Sequence, residues 1–170
     1  RAFAHNSVGY SYGNEVTFTS ANTIPTVTTQ AATSTNITSA VGNGNITDTG
    51  GDNATSRGIQ YGTVTGTYTA NVTDAGNFST GAFTDNMTGL IFATTYYYRA
   101  FAINPQGIGY GNEVSFSTLP PTLANVVNSG TSNIQPTSAY LTGTLTSLGS
   151  FSSVTVSFDY GTTTSYCASL

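Results

Sequence analysis

Very few side chains in this sequence could do chemistry. There is one histidine, His5, one cysteine, Cys167, and no lysine; the cations are Arg1, Arg57 and Arg99. The acids are Glu15, Asp48, Asp52, Asp74, Asp85, Glu113 and Asp159. One histidine and one distant cysteine cannot supply a zinc ligand set. No Ser/His/Asp order, phosphate loop or dinucleotide fingerprint occurs. Gly42-Asn43-Gly44 has the glycines of such a loop but reads as strand, with no helix after it. The densest oxygen cluster is Asp48-Thr49-Gly50-Gly51-Asp52-Asn53. Calcium takes about six to eight oxygens; two carboxylates and an amide fall short, so this segment reads as a turn. Glycoside hydrolysis needs two carboxyls facing each other across a cleft, and these acids are scattered over turns. The inventory predicts no catalytic residue, no metal site and no cofactor: the chain reads as something other than an enzyme.

Arg99 and Glu113 are separated by 14 positions, and so are Arg1 and Glu15. The coincidence belongs to a repeat. Residues 1–18 read RAFAHNSVGYSYGNEVTF and residues 99–116 read RAFAINPQGIGYGNEVSF, identical at 12 of 18 positions at an offset of 98. His5 falls where the second copy has Ile103, which is poor material for a catalytic or ligating residue. A third copy is fainter. Ser39-Ala40 recurs as Ser138-Ala139, Gly44 as Gly143, Gly50 as Gly149 and Tyr61-Gly62 as Tyr160-Gly161, all at an offset of 99, while Pro25 matches Pro121.

A repeat of this length is domain-sized, so it indicates an array of modules. One complete domain runs over 24–118. It is preceded by the closing strands of another over 1–20 and followed by the opening strands of a third over 121–170. The sequence starts in mid-pattern at Arg1, without an initiator methionine, and reads as a fragment, a processed product or part of something longer.

The elements that must position these residues are strands. Apolar residues alternate with period two, and Gly, Asn and Asp clusters interrupt them every ~8–12 residues, the spacing of a sandwich. Seven strands are expected in the full copy, near 25–31, 37–47, 56–62, 66–72, 77–89, 94–104 and 109–118. In the sixth, Tyr96, Tyr98, Ala100 and Ala102 face inward and Tyr97, Arg99 and Phe101 outward. In the seventh, Tyr110, Val114 and Phe116 face inward and Glu113 outward. A hairpin turning near Gln106-Gly107 sets Arg99 opposite Glu113, a structural pair on the outer face.

Thr88-Gly89-Leu90-Ile91-Phe92-Ala93-Thr94-Thr95-Tyr96-Tyr97-Tyr98-Arg99-Ala100-Phe101-Ala102-Ile103-Asn104 resembles the fibronectin type III family. It is similar to that family's L-x-P-x-T-x-Y corner and the Y-x-V-R-A-x-A-x-N strand after it. Gly107-Ile108-Gly109-Tyr110-Gly111-Asn112-Glu113-Val114 is similar to the hairpin of microbial members. The resemblance implies an all-β immunoglobulin-like sandwich. It also makes Tyr96 a tyrosine corner, six residues after Leu90, with its hydroxyl on upstream backbone. Phe92 departs from the corner proline. No tryptophan and no Arg-Gly-Asp occurs, so integrin-type adhesion does not carry over.

Three cations cannot neutralise a phosphate backbone, so nucleic acid is excluded as a partner. No apolar run reaches the ~18 residues of a membrane span. A surface of Thr, Ser, Asn and Gly is more usual outside the cell. Cys167 alone permits no intrachain disulfide, and the lack of lysine excludes Lys–Asn isopeptide staples. Six acceptors sit in N-x-S/T: Asn36, Asn45, Asn53, Asn71, Asn77 and Asn86, a number no greater than chance in so Ser/Thr-rich a chain. Tyr97 and Phe101 read as cross-strand packing or, alternatively, as a binding stripe.

The expectation is a structural module of a surface filament, stalk or coat, built from tandem or strand-complemented sandwiches. Its partners would be copies of itself, and glycans where the acceptors are used. The alternatives are a module adhering to carbohydrate or a host surface, and a non-catalytic spacer of a large secreted enzyme.

Overall fold

The structure is a computed structural model describing residues 1–163 together with 168 and 169. Cys167 lies outside the described residues, as does any role for its thiol.

The first flank forms one hairpin, β1 (Phe3–Asn6) and β2 (Gly9–Tyr12). Eight strands follow: β3 (Thr26–Thr33), β4 (Ser39–Asp48), β5 (Ala54–Gly62), β6 (Ala70–Phe78), β7 (Gly81–Thr88), β8 (Thr95–Asn104), β9 (Gly107–Tyr110) and β10 (Val114–Ser117). They make two antiparallel sheets, β3-β4-β7 and β10-β8-β5-β6, with β9 also on β8. The last flank holds β11 (Asn125–Gln135), β12 (Ser138–Ser147), β13 (Asp159–Tyr160) and β14 (Ala168–Ser169). The chain is therefore all-β, and its centre is an immunoglobulin-like sandwich.

Alternation builds the core. Ala40 and Ile46 of β4, Phe83 and Met87 of β7, and Ile59 of β5 are buried, and Tyr96, Tyr98, Ala100 and Ala102 of β8 lie against them. Gly44 is needed in β4 because a Cβ there would come within 2.5 Å of the Phe83 ring and 2.7 Å of Ala100 Cβ.

Three expectations need correction. The fourth strand is Ala70–Phe78 rather than 66–72, because Thr65-Gly66-Thr67 forms a turn in which Thr67 N donates to Val64 O and Gly66 takes a φ of 71°. The seventh strand is broken. Tyr110 pairs with Phe101 in β9, but Val114 pairs with Tyr98 in β10, so an extra residue sits between them. That bulge reverses the facing. Tyr110 shares the outer face with Phe101, whereas Val114 and Phe116 pack inward. Phe101, though outward, is 7% exposed. Finally, Pro25 is not equivalent to Pro121. Gly50 abuts the Thr23 and Ile24 carbonyls as Gly149 abuts those of Thr122 and Leu123, which aligns Pro25 with Ala124.

The repeat is visible in hydrogen bonds. Asn104 Oδ1 accepts from the Gln106 and Gly107 amides, and Asn6 Oδ1 from those of Val8 and Gly9. Gly111 N donates to Ala100 O, and Gly13 N to Ala2 O. In the last flank, Thr146 Oγ1 donates to Asn125 O as Thr47 Oγ1 does to Thr26 O. The flanks differ from the centre in burial. Phe3, Tyr10, Val16 and Phe18 are exposed in the first, and Val126, Tyr140 and Leu145 in the last.

Candidate functional site

The corner is built by three side chains. Leu90 is buried before the bend, and Ile91 N donates to Tyr96 Oη over 3.0 Å. The Tyr96 ring stacks on Phe116 at 5.7 Å and meets Tyr61 edge-on. Thr118, absent from the sequence reading, closes the bend from the other side. Its hydroxyl, on a residue 3% exposed, donates to Ile91 O (2.7 Å) and accepts from Thr94 N (3.0 Å). Ala93 takes a left-handed φ of 48° at the turn between Phe92 and Thr94.

On the outer face of β8 the Arg99 guanidinium lies between two rings, 3.7 Å from the Tyr110 centroid and 4.6 Å from that of Tyr68. With its amide oxygen turned toward β8, Gln60 accepts from Arg99 Nη2 (2.8 Å) and Nε. The register that pairs Val114 with Tyr98 brings Glu113 near Arg99, as expected, but the two make no direct ion-pair contact. The Glu113 carboxylate accepts instead from Thr65 Oγ1, Gly66 N (2.8 Å) and Tyr68 Oη (2.6 Å). The physical cause is the Thr65–Tyr68 turn, which presents three donors to a carboxylate that one guanidinium would otherwise share with two rings. The Thr65 and Tyr68 hydroxyls, then the Gly66 amide, hold Glu113 below the usual carboxylate range, and Arg99 assists. Partial burial, then the bond to Glu113, pushes Tyr68 up.

The first flank repeats half of this arrangement. Arg1 lies 4.0 Å from the Tyr12 centroid, as Arg99 lies on Tyr110. Glu15 is exposed and belongs to no strand. His5 packs on Tyr10 at 4.3 Å. The Asp48–Asp52 segment serves as a turn: Asp48 Oδ1 accepts from Gly50 N (2.8 Å) and Asp52 Oδ2 from Asn22 Nδ2 (2.8 Å). Among the described residues no three His, Cys, Asp or Glu side chains gather around a metal-sized space.

A second charged group was not foreseen. Arg57 and Asp74 are cross-strand neighbours on β5 and β6, 3.9 Å apart. Arg57 lies over the Phe78 and Phe83 rings at the open side between the sheets. Asp85 of β7 points into the same space, is 6% exposed, and its Oδ2 has no partner. Burial, aggravated by Asp74 and relieved by Arg57, raises its pKa to about 6. Arg57, Asp74 and Asp85 come from three strands and form no sequence motif.

Of the glycosylation acceptors, Asn36, Asn53, Asn71, Asn77 and Asn86 are exposed, while Asn45 is half-buried in the middle strand of its sheet. Asn36 and Asn86 line one shallow recess of about 250 Å³. Tyr97 is half-buried beside Ser115.

No protein-family model and no curated protein matches the chain. Among solved structures it is similar to the sixth fibronectin type III domain of human fibronectin type III domain containing protein 3, at 25% identity and a TM-score of 0.46, over 61% of this chain and 92% of that one. It is also similar to the sensor domain of the anti-sigma factor RsgI4 in Pseudobacteroides cellulosolvens, at 14% identity and a TM-score of 0.43, over 56% of this chain and 95% of that one. With its two antiparallel sheets, the central sandwich resembles a fibronectin type III module in architecture.

Proposed function

We propose that this chain is a structural module of an extracellular assembly, a segment of a surface filament, stalk or coat built from tandem or strand-complemented sandwiches. One observation carries this reading. Each flank reproduces the turns and hydrogen bonds of part of the central sandwich, and its exposed apolar side chains are those that adjoining chain or a neighbouring copy would cover. An open sheet with an apolar face is a site for strand addition. A head-to-tail contact that does not close gives a fibre.

The side chains suited to chemistry support the same reading. Arg99, Tyr68, Tyr110 and Glu113 are engaged with one another, and the two aspartates of the oxygen-rich loop clip its turn. The sparsely charged, Thr- and Asn-rich surface, with exposed acceptors at Asn53, Asn77 and Asn86, supports a place outside the cell and glycans as covalent partners.

The test is labelling of intact cells with an antibody to residues 24–118, together with electron microscopy of the labelled material. Label on extended surface structures is expected. Label only after lysis, or on dispersed single particles, contradicts the reading. Glycopeptide mass spectrometry tests the sugar separately; finding every acceptor bare removes it.

A further inference from the structure

We propose that the segment from Leu119 to Thr122 is a stiff joint, in which Pro120 and Pro121 fix the spacing and direction of the third copy relative to the central sandwich. This goes beyond the structural reading above. It concerns how a single chain holds successive modules apart, and it needs no second copy.

The chain is tied down on both sides, up to the two prolines. On the central side, Leu119 N donates to Asn36 O and Ala93 N donates to Leu119 O. Thr118, one residue earlier, is held by its hydroxyl at Ile91 and Thr94. On the far side, Thr122 N donates to Ser150 Oγ (2.8 Å) and Ser150 N donates back to Thr122 O (3.2 Å). The two hydroxyls share a further bond of 2.9 Å. Gly149 lies so close that a Cβ there would stand 2.3 Å from Thr122 O. Pro120 and Pro121 are what remains between these anchors. Their rings fix φ at both positions. Each also holds the residue before it, Leu119 or Pro120, in extended backbone. Such a pair behaves as a short rod, rising ~3.1 Å per residue.

The other junction shows what the prolines replace. Ser20 is equivalent to Thr118 at the offset of 98, and Thr23 to Thr122 at the offset of 99, so the second junction is one residue longer. An added residue ordinarily brings backbone freedom. In the shorter junction Asn22 holds the position of Pro121, and it is restrained by hydrogen bonding. Its Nδ2 donates to Asp52 Oδ2 (2.8 Å), and Thr23 N next to it donates to Gly50 O (2.8 Å). In the third copy Phe151 stands where Asp52 would be, so the side-chain tie has no acceptor there. A ring at Pro121 supplies covalently the restraint that Asn22 draws from a bond. The extra residue is itself a proline, so the joint gains length without gaining freedom.

The test uses the full chain with Cys167→Ser and two spin labels, on Thr88→Cys in the central sandwich and Asn125→Cys just past the joint. Both sites are exposed. Labelled chains are diluted in an excess of unlabelled Cys167→Ser chain, so that pulsed dipolar spectroscopy reads distances within one molecule. The distance distribution should be at least twofold narrower with the native joint than with Pro120→Gly/Pro121→Gly, because glycine frees the φ that proline fixes. Equal widths in the two proteins overturn the stiff joint and leave the structural-module reading standing. Failure of that reading, with no label on cell surfaces, would not change either width.

Discussion

Arg99 and Glu113 are joined through Tyr68. The ring of Tyr68 lies against the guanidinium and its hydroxyl donates to the carboxylate. An aromatic side chain from the β5–β6 connection thus does the work that a direct ion pair would do on this face. Tyr68→Phe keeps the ring and removes the donor. It should lower the melting temperature by about 1–4 °C, and Glu113→Gln should lower it comparably, with the double variant no worse than the worse single. A Glu113 carboxyl held below its ordinary range contributes stability above that range and loses it as pH falls through the depressed value. Both substitutions should therefore flatten the acid limb of the melting curve. Additive effects of the two would show that Tyr68 and Glu113 act separately.

The corner should matter more. Tyr96→Phe leaves the Ile91 amide without its acceptor, and Thr118→Val strips the bend of two bonds made from a buried hydroxyl. Each should destabilise by ~1–3 kcal/mol, read from urea midpoints at constant m. Asp52→Asn, on a half-buried turn residue with a single side-chain bond to Asn22, should change little. A larger effect at Asp52 than at Tyr96 would make the corner a minor element.

Asp85 gives the opposite pH signature to Glu113. Its folded-state pKa of about 6 lies above the ordinary 3.8, so between those values the folded chain holds a proton that the unfolded chain has released. Its contribution is fully present below about pH 4 and is lost as pH rises through 6. Asp85→Asn should stabilise the protein at pH 7 by on the order of 1–3 kcal/mol and remove that slope. Unchanged pH dependence would mean that Arg57 fully compensates the carboxylate.

The repeat itself suggests a stabilising change. Ser34 and Asn133 occupy equivalent positions and share a left-handed backbone, with φ of 49° and 51°. Asn tolerates that region better than Ser. Ser34→Asn should raise stability by about 0.5–1 kcal/mol, seen as a higher urea midpoint. A lower midpoint would mean that the Ser34 side chain makes a contact the amide disrupts.

The strands and their facing were legible in the sequence where alternation ran unbroken, as along β8 from Tyr96 to Ala102. They failed at Tyr110, because one inserted residue at a bulge changes no composition and yet reverses a face. Arg99 and Glu113 were found because the repeat preserves both. Tyr68, Gln60 and Asp85 were not, because each reaches its partners from a strand or turn far away in sequence and no second complete copy displays them. Asn104 was legible in principle, since Asn6 repeats it. Its amide donates to the Thr23 and Thr49 carbonyls, a tie between loops that only the folded chain brings together.

The central claim is that the flanks seek partners and the central sandwich does not. Light scattering of residues 1–170 beside residues 24–118, over a range of concentrations, addresses it directly. The longer chain should grow in mass with concentration while the single sandwich stays monomeric. A well-folded 1–170 monomer at every concentration would contradict it.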